Sequence, residues 1–178
     1  MKRNIVLAAV VGLLFAGIGV YFGAHAPVGK TPEGGAAMTP AVAGLYAQSM
    51  ADASGKMQNL SQLKGKPVVV NFWATWCGPC VQEMPELSAM QAELTPKNVQ
   101  IVGIGIDSPT NIREFSAKYK IAYPGYVAGM SGTELSRAFG NKAGSLPFTV
   151  LIGADGRIAK TYLGRLKMDE LRRDVAAL

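Results

Sequence analysis

The sequence is poor in the residues that bind metals: 178 positions hold one histidine, His25, and two cysteines, Cys77 and Cys80. A structural zinc site needs four ligands, so none is expected. Only 17% of the chain is charged, and no block of five or six basic residues interrupts it, so nucleic-acid binding has no support. The net charge of +6 includes Lys2, Arg3 and Lys30, outside the expected folded region; from Leu45 onward 15 basic face 11 acidic residues, an ordinary solvated balance. Gly103-x-Gly105 lacks the third glycine of a dinucleotide fingerprint, so no cofactor is expected either. There is no internal repeat. With 49% apolar residues, what remains is one core-forming domain with an appendage.

The appendage comes first. Lys2 and Arg3 precede Ile5–Ala24, twenty residues without a charge. A helix of that length rises about 30 Å, enough to cross a bilayer core. The preceding positive charges favour an N-terminus in the cytoplasm with the remainder exported. Ala24-His25-Ala26 fits a signal-peptide cleavage pattern, but the apolar run is long for one and Pro27 would follow the cut. Residues 1–24 are therefore expected to be a retained membrane anchor, with a cleaved, soluble extracytoplasmic protein as the alternative. Pro27–Gly44 holds three prolines, four glycines and no aromatic residue, so 25–44 is expected to be a flexible linker and 45–178 the folded domain.

Within 45–178 strand and helix signals alternate. Leu45–Ser49 and Lys56–Leu60 are expected to pair as an N-terminal hairpin. Pro67–Ala74 and Val99–Ile106 are short apolar runs suited to strands covered on both faces. Val81, Met84, Leu87, Met90 and Leu94 recur at helical spacing. Ser108-Pro109 opens a further helix carrying Ile112, Phe115 and Tyr119. Tyr123–Ala128 is a candidate strand, and Ser131-Gly132-Thr133-Glu134 has the form of a capping box for a helix ending at Gly140. Phe148–Gly153 and Arg157–Leu163 flank the turn signal Asp155-Gly156, and Met168–Ala177 closes the chain as a helix with Leu171, Val175 and Leu178 on one face. The order implies an α/β fold with a mixed central sheet and flanking helices.

The cysteines stand three positions apart in Trp76-Cys77-Gly78-Pro79-Cys80, where a buried strand gives way to a helix. Amide groups at a helix start stabilise an anion, so Cys77 is the candidate nucleophilic thiolate. Cys80, about one turn on, can attack a mixed disulfide formed at Cys77. Pro79 suits a first helical turn, which requires no N–H. A purely structural disulfide closing so short a loop would constrain little of the unfolded chain.

These residues carry a resemblance to thioredoxins, and more closely to the membrane-anchored extracytoplasmic thioredoxin-like reductases of the TlpA/ResA kind. It covers 45–178 and rests on Gly65-Lys66-Pro67, Asn71 through Cys80, Glu83-Met84-Pro85, Leu146-Pro147 and Asp155-Gly156. The resemblance implies a thioredoxin-like fold with Asp107–Gly140 as a central helix–strand insertion. It also implies a cis-proline at Pro147 beside the cysteines, with Leu146 offering backbone groups to an extended substrate. Trp76, Gly78 and Pro79 would complete the substrate surface, Trp73 and Trp76 shielding the site. Thioredoxin carries a buried aspartate where this chain has Asn71. Glu83 matches the glutamate of the anchored branch and is expected to take over proton transfer, the other reading being a first-turn glutamate that favours the helix dipole. Phe148 replaces a commoner threonine.

The function so implied is reduction of protein disulfides outside the cytoplasm, with electrons from a membrane thiol donor and substrates in cytochrome c or copper-protein maturation. The rivals are a disulfide-forming oxidase and a copper chaperone using both thiolates. Met84 could join such a copper site but suits a core position better.

Overall fold

The computed structural model describes residues 38–178. The expected anchor and most of the expected linker lie outside them, and no helix among the described residues is long and apolar enough to cross a membrane.

The domain is built on a mixed seven-stranded sheet in the order β2-β1-β5-β4-β3-β6-β7. The strands are β1 (Ser49–Asp52), β2 (Met57–Asn59), β3 (Val68–Trp73), β4 (Gln100–Gly105), β5 (Gly125–Val127), β6 (Phe148–Ile152) and β7 (Ile158–Leu163). The helices are α1 (Pro40–Tyr46), α2 (Gly78–Leu94), α3 (Pro109–Tyr119), α4 (Ser131–Ala138) and α5 (Met168–Ala176). β3 is central and wholly buried, parallel to β4 and antiparallel to β6. The α3–β5 insertion places β5 between β4 and β1, parallel to the one and antiparallel to the other. This is the thioredoxin-like architecture that the alternating signals and the resemblance imply.

Alternation along β3 separates two cores. Val69, Asn71 and Trp73 face α2, α3 and α5, where Met84, Leu87, Met90, Ile112, Phe115 and Leu171 pack. Val68, Val70 and Phe72 face α1 and α4, with Val42, Leu45, Phe139 and Phe148.

The N-terminal expectations need correcting. The last residues of the expected linker form α1, with Pro40 in its first turn and Val42, Leu45 and Tyr46 buried at helical spacing. Leu45 therefore enters the core from a helix, and the hairpin is shorter, Ser49–Asp52 with Met57–Asn59. Thr39 N donates to Gly156 O, and Met38 lies against Gly156. Since β6 runs opposite to β3, Met38 and Thr39 lie at the sheet end remote from the C-terminus of β3.

Smaller differences follow from competing hydrogen bonds and exposure. No capping box forms at Ser131: α4 is preceded by Met130, and the Ser131 hydroxyl donates to Ala128 O. Leu178 is exposed, α5 having ended at Ala176. Gly103 and Gly105 serve packing. A Cβ at Gly103 would stand 3.0 Å from Trp73 Nε1 and 3.2 Å from Tyr123 Cε2, and one at Gly105 would stand 2.4 Å from Ile112 Cδ1.

Candidate active site

β3 delivers its last residue, Trp73, to one end of the sheet, and Cys77 N closes the next turn on Ala74 O. Cys77 is the N-cap of α2 and accepts the Cys80 amide at 3.3 Å through Sγ. The two cysteines are joined in a disulfide. Cys80 is sealed at 0% exposure and Cys77 retains 6%, so Cys77 is the more exposed residue of the pair. Trp76, Gly78 and Pro79 are exposed around it, and Trp73 is buried beneath. The Leu146–Pro147 peptide is cis, and pairing of Phe148 with Phe72 brings this segment to the same end of the sheet. Pro147 is buried and Leu146 half-buried.

Glu83, one turn beyond Cys80, is fully buried on the sheet side of α2, not a solvated first-turn carboxylate. Asn71 Nδ2 donates to its Oε1 at 2.8 Å, and Leu166 N donates to its Oε2 at 2.9 Å. The same Asn71 amide donates to Thr149 Oγ1 at 3.0 Å. Burial pushes the Glu83 carboxyl above the usual range; the Leu166 and Asn71 hydrogen bonds and the Arg165 charge pull the other way without cancelling it. Three more buried polar atoms on this face, Asn71 Oδ1, Trp73 Nε1 and Tyr123 Oη, lack a protein partner. Burial, reinforced by the Glu83 charge, raises the Tyr123 hydroxyl so far that it stays protonated.

A second carboxylate behaves oppositely. Asp107 accepts from Thr75 N and Thr75 Oγ1 through Oδ2, and from Ser108 N and Asn111 Nδ2 through Oδ1. Burial opposes its ionisation, but these bonds together hold it below the usual range. Thr75 precedes Trp76 and Cys77, so Asp107 fixes the approach to the disulfide. Beside it a groove of about 400 Å³ runs between Trp76, Ile106, Pro109 and Met130. Trp76 and Met130 are 70% and 81% exposed there, and Asp107 and Ser108 add polar groups to the lining. Leu146 and Pro147 do not line it.

The sequence offered no sign of the Leu166 amide or of Asp107. The one hint of the former is Gly164, whose φ of +85° turns the chain at the end of β7. Among the described residues no group of three or more histidine, cysteine or acidic side chains could hold a metal ion.

Comparisons agree with this geometry. The redoxin family model matches residues 32–177. The thiol-disulfide oxidoreductase ResA of Bacillus cereus is 33% identical over 121 residues, 67% of this chain and 68% of its own. A thiol:disulfide interchange protein of the thioredoxin family from Chlorobium tepidum superposes with a TM-score of 0.63 at 30% identity, covering 73% of this chain and 91% of that one. A secreted disulfide oxidoreductase of Mycobacterium tuberculosis, homologous to DsbE, gives 0.64 at 26% identity, covering 76% and 98%. With its disulfide at a helix start and its cis-proline at the same sheet end, the chain belongs to the redoxin family, as a ResA-like thiol–disulfide oxidoreductase of thioredoxin fold.

Proposed function

We propose that this oxidoreductase works as a reductant of protein disulfides outside the cytoplasm, with Cys77 as nucleophile, Cys80 as resolving thiol and Glu83 as proton acceptor. The observation that carries it is the placing of the more exposed cysteine, Cys77, at the N-cap of α2, with a buried carboxylate one turn beyond its partner.

In the reduced protein the Cys77 thiolate attacks one sulfur of a substrate disulfide. That S–S bond breaks, a mixed disulfide forms, and the other substrate sulfur leaves as a thiolate that takes a proton from water. Cys80 then gives its proton to Glu83 and attacks the Cys77 sulfur. The Cys77–Cys80 bond forms, and the remaining substrate sulfur leaves as a thiolate and receives that proton. The substrate gains two electrons and the pair loses two. Leu146, ahead of Pro147, offers backbone groups to the substrate chain, and Trp76, Gly78 and Pro79 form the contact rim.

The reducing direction is supported by what surrounds the cysteines. Strong oxidants stabilise the thiolate of their reduced form heavily. Here Gly78 and Pro79 bring no cation, and Arg165, folded onto α2, is paired with Glu86 at 2.8 Å. Ionised Glu83 opposes further negative charge nearby. A reduction potential near about −270 mV is expected, not one near −120 mV. The uncharged run Ile5–Ala24 and the secreted relative support an anchored domain outside the cytoplasm, re-reduced by a membrane thiol donor and serving cytochrome c or copper-site maturation.

Equilibration with glutathione tests the direction: a potential above about −180 mV would favour the disulfide-forming reading. Trapping tests the roles. Cys80→Ser should accumulate a mixed disulfide through Cys77, whereas predominant trapping through Cys80 would reverse them. A mature N-terminus at or near Pro27 would replace the anchored protein by a cleaved, soluble one.

A further inference from the structure

We propose that Arg165 is a positioning residue for this chemistry: it pins one loop whose backbone holds Glu83 and Pro147 together. The proposal extends the proton-handling assignment of Glu83 made above. Gly164, Arg165, Leu166 and Lys167 join β7 to α5. Gly164 N donates to Pro147 O at 2.9 Å, and Leu166 N donates to Glu83 Oε2 at 2.9 Å. A three-residue segment thus ties the cis-proline strand to the buried carboxylate. Between those bonds the Arg165 guanidinium lies along α2, with Nη2 on Glu86 Oε1 at 2.8 Å and Nη1 on Gln82 Oε1 at 3.4 Å. Gln82 and Glu86 are four residues apart on one face of α2, so the contact sets the loop's direction as well as its distance.

Both ends of the Arg165–Glu86 pair are about half exposed, and such a pair adds little to global stability. Its effect is local. The Arg165 charge favours ionised Glu83, Glu86 on the same helix acts against it, and the Tyr123 hydroxyl, which the Glu83 charge helps to raise, stays neutral. Losing Arg165 removes that cation and frees the loop to lift its amide from the carboxylate. Both changes raise the pH at which Glu83 becomes a base.

The test uses the full chain carrying a mixed disulfide between Cys77 and 5-thio-2-nitrobenzoate. Release of the coloured thiolate by Cys80 is followed from pH 5 to 9, and exchange of the Leu166 amide is followed by NMR. Arg165→Gln should move the acid limb of the release profile upward by about half a pH unit, roughly threefold in rate on that limb. It should also speed Leu166 exchange by about fivefold or more. Arg165→Lys, which keeps a cation near Glu86, should recover most of both. In a Glu83→Gln background, Arg165→Gln should leave the profile where Glu83→Gln puts it. Wild-type exchange and an unmoved profile in Arg165→Gln would overturn the proposal. If Glu83→Gln itself leaves the profile unchanged, Glu83 is not the proton acceptor, and Leu166 exchange alone then decides whether Arg165 holds the loop.

Discussion

The two faces of β3 are one residue apart in sequence and opposite in chemistry. Val68, Val70 and Phe72 pack in a largely apolar cluster, Phe72 lying 6.1 and 6.0 Å from the Phe139 and Phe148 ring centroids. Asn71 and Trp73 meet a buried carboxylate, an unpartnered tyrosine hydroxyl and the disulfide. Burying polar groups carries a stability cost that the apolar face avoids. The strand therefore combines a stabilising side with a reactive one, and each can be disturbed separately.

The largest effect is expected on the apolar side. Phe72→Ala should destabilise the protein by about 3–5 kcal/mol in chemical denaturation while leaving the reduction potential unchanged. A shifted potential would show that the two faces are coupled. On the reactive side, Asn71→Asp places a second carboxylate at the 2.8 Å contact with Glu83. Two such groups cannot both ionise, so about 2–3 kcal/mol should be lost at pH 8 and most of it recovered at pH 5. A loss independent of pH would mean that the aspartate has turned away from Glu83. Gly105→Ala, which drives a methyl toward Ile112, should cost about 1–2 kcal/mol through crowding and leave reactivity intact.

The smallest effect is a slope. Burial raises the Glu83 carboxyl in the folded protein, so the folded state binds its proton more tightly than the unfolded chain does. Stability from this group is present below the ordinary carboxylate range and is lost as pH rises through the folded value. The melting temperature of Glu83→Gln minus that of wild type should therefore increase from pH 4 to pH 8. A constant difference would mean that Glu83 titrates as a solvated carboxylate.

The sequence made the apolar side legible and the reactive side only in part. Continuous runs such as Val68–Trp73 read as strands because both faces are buried, and the stripe from Met84 to Leu94 has a plain helical period. The sheet class, the central insertion and the cis peptide at Pro147 agree with the structure. α1 was hidden because glycine and proline around it read as linker, although Val42, Leu45 and Tyr46 carry the apolar spacing. Asn71 read as a missing proton acceptor; in the fold its amide is a donor that allows Glu83 to be buried. The Leu166 amide was beyond reach, since any residue supplies a backbone N–H and only folding brings this one to an acceptor 83 positions away in sequence.

The docking of Met38 and Thr39 on Gly156 has a practical meaning. Met38 and Thr39 sit on the β6–β7 turn, and the five residues of β6, about 17 Å of strand, lie between that turn and the disulfide end of the sheet. A bead or a fusion partner joined at residue 38 of the domain is thus attached at the back, leaving the Cys77 end of the sheet to passing proteins. A redox partner embedded in the same support would meet that end only after the domain turns over. Varying the length of an inserted spacer would then govern exchange with such a co-immobilised partner while leaving exchange with dissolved ones unaltered.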